Sequence, residues 1–347
     1  VKREGKVVLG KRYANLWLLC CVLFVTFLAI AFSNASLNYL SVKMNDPFIN
    51  WVDIKNAAGS RNDFIGFESD LQRTDIMEEL GIDVKAIQTW DDVYDVAQVL
   101  QRYNMSLGCG ATFENLLYQN GGSFYNEEQS QVMFTETVAV EALKQHAEFY
   151  TKYGFPITFD FVSRFRTGEM PIALATYNTY STLKYSAPEI SGLWEMFIMP
   201  GTLQEDGSIN YTQVDSALTG VIMLESAERK DDCWEFIKWW CSSEAQTRYA
   251  LDVEASLGIA ARANTANLTT MEKLGWTREE LAVLKEQASH LEFLPIVPGY
   301  YYVTRGLQNA KRGVIYDNEN ARELLTEWNT KINDELLRKR LEFQLNN

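Results

Sequence analysis

The sequence predicts an α/β protein body that follows one apolar segment near the N-terminus. Amphipathic stretches that begin with helix-capping residues recur along the chain, and short apolar runs typical of buried strands lie between them. The apolar segment is Leu16–Phe32, a run without any charged residue. The chain has 347 residues, which is long enough for about two domains.

The uncharged run predicts one membrane-spanning helix. With residues 13–15 in front, it approaches the roughly 20 apolar residues that a spanning helix needs. Five cations precede it against a single acid, so we expect the N-terminus in the cytoplasm and the remaining chain outside. A signal peptide cleaved near Ala35 is the alternative, because Ser33, Asn34 and Ala35 offer a small-x-small site. We favour an uncleaved membrane anchor, since the apolar run is long for a signal-peptide core.

Composition argues against several classes of function. The formal net charge of −14 makes nucleic acid a poor partner. The five cysteines show no CxxC spacing, and the two histidines form no HExxH motif. Neither a Walker loop nor a GxGxxG motif is present in the sequence. We therefore predict no metal and no cofactor.

The first half of the body contains two helices with clear starts. Thr89 is the predicted N-cap of a helix with an apolar face that runs from Val93 to Leu100. A turn follows at 120–122, where the sequence is Asn-Gly-Gly. Thr135 or Thr137 opens the second helix, and His146 falls on its apolar side, where we expect it to be packed rather than to bind a ligand.

The second half alternates strands and helices. We predict strands at Ile172–Ala175 and Leu218–Leu224, and a helix from Asp231 in which Trp239 and Trp240 belong to the core. Further signals are a break at 242–243, a capping box that starts at Thr277, and one long amphipathic helix from about 319 to the C-terminus.

Three consecutive tyrosines, residues 300–302, follow Pro298-Gly299 and precede a predicted helix. Aromatic rings stack well on the flat apolar face of a sugar, and Arg305 can donate a planar fork of hydrogen bonds beside them. The alternative is that the three rings fill a core.

From about Leu71 onward the chain resembles the extracellular solute-binding proteins of bacterial ABC sugar importers, the maltose-binding-like family 1. The matching pieces occur in family order. They are RTDIMEELGI with QTWDDVYDVAQVL, LLYQNGGSFYNEE, FRTGEMPIALATYNTYSTL, SALTGVIMLESAERKDDCWEFIKWWCSSEAQ, and LGIAAR with VPGYYYVTRGLQNA.

The resemblance implies a type II periplasmic-binding-protein-like fold, in which two α/β lobes hold a ligand in the cleft between them. It places Tyr301 where maltose-type binders have a ring-stacking aromatic, with Tyr300 beside it and Arg305 one turn further. Tyr177 and Tyr180 fall in the aromatic loop after the FRTGEMPIALA strand, and Trp194 lies near the same cleft wall. The family is not catalytic, so no catalytic residue is expected.

The chain departs from the family at its beginning. Residues 1–55 weakly resemble the start of an ABC-type permease subunit, and the family's usual first strands of lobe one are absent. The expected division is therefore an anchor and junction at 1–60, an incomplete lobe one at 61–110 plus 217–256, and lobe two at 111–216 plus 257–347. Helices from Thr89 and Asp231 would then have apolar faces that are partly uncovered.

The sequence thus predicts a non-enzymatic protein that binds a sugar or oligosaccharide for an ABC importer. Its partners would be the sugar and the permease subunits, and its body would be extracytoplasmic behind the anchor. Two alternatives stay open. One is a membrane-tethered accessory domain of an ABC permease without a ligand, and the other is a glycoside hydrolase, which would need a suitably spaced carboxylate pair.

Overall fold

A computed structural model describes residues 62–64, 68–108, 110–215, 219–224 and 226–345. The predicted membrane segment Leu16–Phe32 and the alternative cleavage site near Ala35 lie outside these residues. Within the described ranges, no helix combines the length and the apolar character that crossing a bilayer requires.

The strands of the described residues are short. In chain order they are β1 Asn62–Phe64, β2 Glu68–Gln72, β3 Leu107–Gly108, β4 Ile172–Thr176, β5 Glu195–Phe197, β6 Thr202–Leu203, β7 Ile209–Asn210, β8 Gln213–Asp215, β9 Thr219–Gly220 and β10 Leu291–Phe293.

Helices make up most of the described chain. They are α1 Thr74–Glu79, α2 Trp90–Arg102, α3 Phe113–Gln119, α4 Thr137–Thr151, α5 Phe161–Thr167, α6 Tyr177–Ser186, α7 Lys230–Trp240, α8 Ser243–Leu257, α9 Leu268–Met271, α10 Arg278–Ser289, α11 Tyr300–Tyr316 and α12 Ala321–Glu342.

A four-stranded sheet with the order β3-β4-β2-β5 organises the body. Strand β2 is antiparallel to both β4 and β5, so that Leu71 lies opposite Ala173 and Met196, while β3 runs parallel to β4. Strands β2 and β3 come from the segment 61–110 and the other two come from 111–216. The sheet therefore crosses the lobe boundary that we expected at residue 110, because strand pairing joins segments that are distant along the chain.

Helix α2 packs in the larger of two cores, against one face of this sheet. The capping box of Thr89 and Asp92 is present, as predicted. Val93 and Leu100 are fully buried, and the ring of Trp90 lies 5.4 Å from that of Phe149 on α4. The expectation that this apolar face is partly uncovered is wrong, because helices α3 and α4 cover it.

The smaller core lies on the other face of the sheet. Leu71 of β2 packs there with residues of α5, α6 and α10 and of the segment before β5, which include Phe165, Leu183, Trp194 and Leu284. The predicted strand at 172–175 is confirmed as β4, and the predicted capping box at Thr277 starts α10.

Two predictions in the region 218–240 are wrong. Only Thr219–Gly220 forms a strand, and residues 221–224 are irregular. Helix α7 buries a single residue, Ile237, whereas Trp239 is 57% exposed and Trp240 is half-buried. Trp239 is therefore not a core residue, and α7 contributes no side chain to either of the two cores.

Candidate functional site

Three of the six predicted binding residues meet in one aromatic cluster. Strand β4 ends at Thr176 and α6 begins at once, which places Tyr177 and Tyr180 on the first turn of the helix. The ring of Tyr180 lies 5.5 Å from Trp194 and 5.1 Å from Trp276. The ring of Tyr177 lies 5.3 Å from the same Trp276.

Lys184 and Glu280 close one side of this cluster. The Lys184 ammonium lies 5.3 Å from the Tyr180 ring centre and 5.1 Å from that of Trp194, which favours cation–π attraction. The Tyr180 hydroxyl donates a hydrogen bond of 2.6 Å to Glu280. Burial alone would raise the pKa of Glu280, but hydrogen bonds from Tyr180, Thr277 and Lys184 lower it below its usual value.

Arg262 covers the other side of the cluster. Its guanidinium donates two hydrogen bonds, of 2.6 and 2.9 Å, to Glu254 and lies 4.9 Å from the Trp276 ring centre. The Tyr177 hydroxyl donates to the carbonyl of Ala263 at 3.1 Å, and burial raises the pKa of Tyr177. Sequence analysis missed Arg262 and Trp276 as members of the site. Their signals were the position of Arg262 in the LGIAAR motif and that of Trp276 directly before the Thr277 capping box.

The rings of this cluster are buried. Tyr177, Tyr180 and Trp194 are 6%, 3% and 7% exposed, and they pack on one another. Stacking on a sugar requires a ring face that solvent can reach. In this arrangement the three residues hold the start of α6 in place, and their direct contact with a ligand stays a prediction.

The other three predicted residues lie on α11. Gly299 precedes the helix in the left-handed conformation, with φ 95°, and Tyr300 is the first helical residue. Tyr300 is half-buried, while Tyr301 is 56% exposed and Arg305 is exposed. Residues four apart share one side of a helix, so Tyr301 and Arg305 form one accessible surface.

This surface presents a ring and a guanidinium whose donors are available. Among the described residues Arg305 has no ion pair and no hydrogen-bond partner. The combination can stack on an apolar face and donate hydrogen bonds to hydroxyl oxygens beside it.

The structure does not bring the two groups of residues together. Helix α11 packs in the larger core through Val303 and Leu307, whereas Tyr180 and Trp194 belong to the smaller core. Tyr301 has a ring contact with Tyr302 on the same helix, whereas Tyr180 has ring contacts with Trp194 and Trp276.

His146, on the apolar side of α4, is a core residue. His146 is buried, its Nδ1 lies 2.8 Å from the carbonyl oxygen of Ala111, and burial lowers its pKa to about 4. This confirms that His146 is a packed residue. In the part of the chain that the structure describes, no group of three or more His, Cys, Asp or Glu residues could hold a metal ion.

Comparisons with known proteins agree with this architecture. The family model described as bacterial extracellular solute-binding protein matches residues 68–268. No curated protein matches the chain.

Several solved structures share the fold. The sugar-binding protein MalE from Xanthomonas citri is 15% identical, with a TM-score of 0.64 over 82% of this chain and 72% of that one. An ABC transporter solute-binding protein from Thermotoga lettingae, bound with α-D-tagatose, is 17% identical, with a TM-score of 0.61 over 80% and 72%. Maltose-bound MalE3 from T. maritima is 18% identical, with a TM-score of 0.58 over 79% and 71%.

Proposed function

Because the chain belongs to the bacterial extracellular solute-binding protein family, we propose that it is the carbohydrate-binding component of an ABC importer and catalyses no reaction. The observation that carries the proposal is the family match over residues 68–268, which includes all four strands of the central sheet. The fold likeness to proteins that bind tagatose and maltose supports a sugar as the ligand.

The proposed ligand surface is centred on Tyr301 and Arg305. Tyr301 offers an exposed ring, and Arg305 offers donors that no described group occupies. Tyr300 begins the same helix and completes this part of the site. Tyr177, Tyr180 and Trp194 have a different role in the proposal, since their buried rings hold the start of α6 in place.

The proposed lobes differ from the division that sequence alone suggested. Residues 68–108 share a sheet and a core with the second lobe, so we assign them to it. Strands β1 and β9 with helices α7 and α8 then represent lobe one. Sugar between the lobes would favour a closed arrangement, and the permease subunits of the importer would receive the closed form.

A carbohydrate panel tests this function by thermal unfolding of the full chain. A ligand that binds only the folded state raises the melting temperature, by an amount that depends on its concentration relative to Kd. The sugar that produces a shift should produce a smaller one in Arg305→Ala. Arg312→Ala is the matched control, because Arg312 is also exposed on α11 but lies two turns away.

A second candidate is a membrane-tethered accessory domain of an ABC permease that binds no sugar. The burial of Tyr177, Tyr180 and Trp194 favours it, because a ligand cleft lined by these rings would leave them accessible. If no mono- or oligosaccharide shifts the melting temperature while the protein unfolds cooperatively, the accessory role replaces the sugar-binding role.

A further inference from the structure

An apolar groove lies between α7 and the segment that follows β9. Its volume is about 550 Å³, and its walls include Ile222, Leu224, Cys233, Phe236 and Ile237. Ile222, Leu224 and Phe236 are 36%, 42% and 54% exposed. Groups of exposed apolar side chains of this size mark surfaces that another segment or molecule covers.

Aromatic rings extend this surface from the groove towards α8. The ring of Phe236 lies 5.6 Å from Trp239, the ring of Trp239 lies 6.3 Å from Trp240, and the ring of Trp240 lies 5.3 Å from Tyr249. Trp239 and Tyr249 are 57% and 51% exposed. The groove and the row of rings form one continuous apolar surface.

The pairing of β1 with β9 shows which part of the chain leads to the groove. The two strands are antiparallel, with Asn62 opposite Gly220 and Phe64 opposite Thr219. In an antiparallel pair, the residues before Asn62 continue in the same direction as the residues after Gly220. An extension of this pairing beyond Asn62 would therefore run beside residues 221–224, which form one wall of the groove.

The sequence before Asn62 contains a segment of matching character. Pro47–Ile54 reads PFINWVDI, with five large apolar residues among eight, and the small residues 57–60 connect it to β1. Trp51 precedes Asn62 by eleven residues, which span up to roughly 36 Å when extended. The residues between Trp51 and Asn62 give the segment this reach from the start of β1.

We propose that the segment Pro47–Ile54 docks in this groove and covers the apolar side of α7. The pairing of β1 with β9 brings the start of β1 beside the groove, and Phe48, Trp51 and Ile54 provide the apolar groups. This contact is independent of the proposed sugar site on α11.

The thiol of Cys233 reports whether the groove is occupied, because it lines the groove and is half-buried. The full chain is placed in lipid bilayers, so that no detergent competes for the groove, and is treated with a maleimide. Peptide mass spectrometry then follows the labelling of Cys233. If the segment is docked, Cys233 should react at least about tenfold more slowly in the natural chain than in the variant Phe48→Asp/Trp51→Asp/Ile54→Asp. The reaction becomes slower as the fraction of molecules with a docked segment increases. The matched control is Asn45→Asp/Asn50→Asp/Asn56→Asp, which adds the same charge and keeps the apolar groups. It should label as slowly as the natural chain.

Cross-linking provides a measurement that does not depend on how the triple variant folds. A short bifunctional maleimide should join Cys233 to the cysteine of Val52→Cys, and it should not join it to that of Asn38→Cys. Fast labelling of Cys233 in the natural chain would show an open groove and overturn the proposal. If Cys233 stays protected in the Phe48→Asp/Trp51→Asp/Ile54→Asp variant, another partner occupies the groove. If its protection falls when the protein is diluted, a second copy of the chain occupies the groove. Either result would overturn the proposal.

Discussion

The hydroxyl of Tyr301 donates a hydrogen bond of 2.7 Å to Glu335, and this bond joins the last two helices of the chain. Glu335 also accepts two hydrogen bonds from Arg338, of 2.6 and 2.7 Å. The Arg338 bonds, with a further contribution from Tyr301, lower the pKa of Glu335 to about 2. The Tyr301 ring is therefore held in one orientation while most of it faces solvent, which reduces the entropy that ligand binding would cost.

Tyr301→Ala should weaken sugar binding by on the order of 1–3 kcal/mol, because the variant loses the ring on which the sugar would stack. Tyr301→Phe keeps the ring and removes only the bond to Glu335, so most of the affinity should remain. Titration calorimetry with the sugar found by thermal shift measures both variants. Tyr316→Ala is the control, since Tyr316 is 61% exposed at the far end of the same helix. Unchanged affinity in Tyr301→Ala, together with a large loss of stability, would make Tyr301 a structural residue.

Gly299→Ala should destabilise the protein by two effects. At a φ of 95° a side chain is strained, at a cost of about 1–3 kcal/mol, and the new Cβ would lie 3.2 Å from Cδ2 of Leu336. Gly192→Ala is the matched control, because its φ is 81° and no atom lies within 4 Å of the new Cβ. Urea unfolding should show a greater loss for Gly299→Ala. Equal losses of unfolding free energy in the two variants would mean that α12 moves away from the new Cβ without destabilising the protein.

Asp70 should make the protein less stable as the pH rises. This carboxyl lies on β2, is 1% exposed, and its Oδ1 has no hydrogen-bond partner among the described residues. Burial raises its pKa to about 7, although a hydrogen bond from Gln72 partly offsets this. The folded protein therefore holds a proton that the unfolded chain releases near pH 3.9, so the contribution of Asp70 is complete below that pH and is lost as the pH rises through 7.

Asp70→Asn should remove this loss, which is on the order of 4 kcal/mol for a shift of about three pKa units. The free energy of unfolding, measured from urea curves between pH 4 and 8, should fall with pH in the natural chain more steeply than in the variant. Asp91→Asn, which changes an exposed carboxyl on α2, should keep the pH dependence of the natural chain. Parallel curves for the natural chain and Asp70→Asn would show that Asp70 is already ionised in the folded state.

Hydrogen exchange should separate α7 from the rest of the body. Amides of Val93–Leu100 on α2 should be as protected as those of Ile172–Ala175 on β4, because both segments contribute buried side chains to a core. Amides of Trp234–Trp240 should exchange faster, since Ile237 is the one buried residue of α7. Equal protection in all three segments would mean that α7 is covered as well as α2 is.

The orientation of the N-terminal segment can be tested with a reporter fused after Lys55. Five cations before the uncharged run predict that this fusion point is extracytoplasmic. A reporter that works only outside the cytoplasm should therefore be active, and one that works only inside should be silent. Activity of the cytoplasmic reporter would reject the orientation.

Features that depend on neighbouring residues along the chain could be predicted from the sequence. The caps at Thr89 and Thr277 follow from side chains that bond to amides three residues away, and both are present. The strand at Ile172–Ala175 and the packed position of His146 could also be predicted from the sequence, and both are confirmed. The order of the motifs was sufficient to indicate the family.

Only the tertiary structure decided which side chains are covered and which strands pair. Trp239 and Leu100 both follow a helical apolar pattern, yet Trp239 is 57% exposed and Leu100 is fully buried. The difference arises because α3 and α4 pack on α2, whereas α7 contributes no side chain to either core. Likewise, Arg262 and Trp276 join Tyr177 through contacts across about ninety residues of chain. Caps and periodicity are local and are set by the chain itself, but burial is set by whatever segment arrives from elsewhere in the sequence.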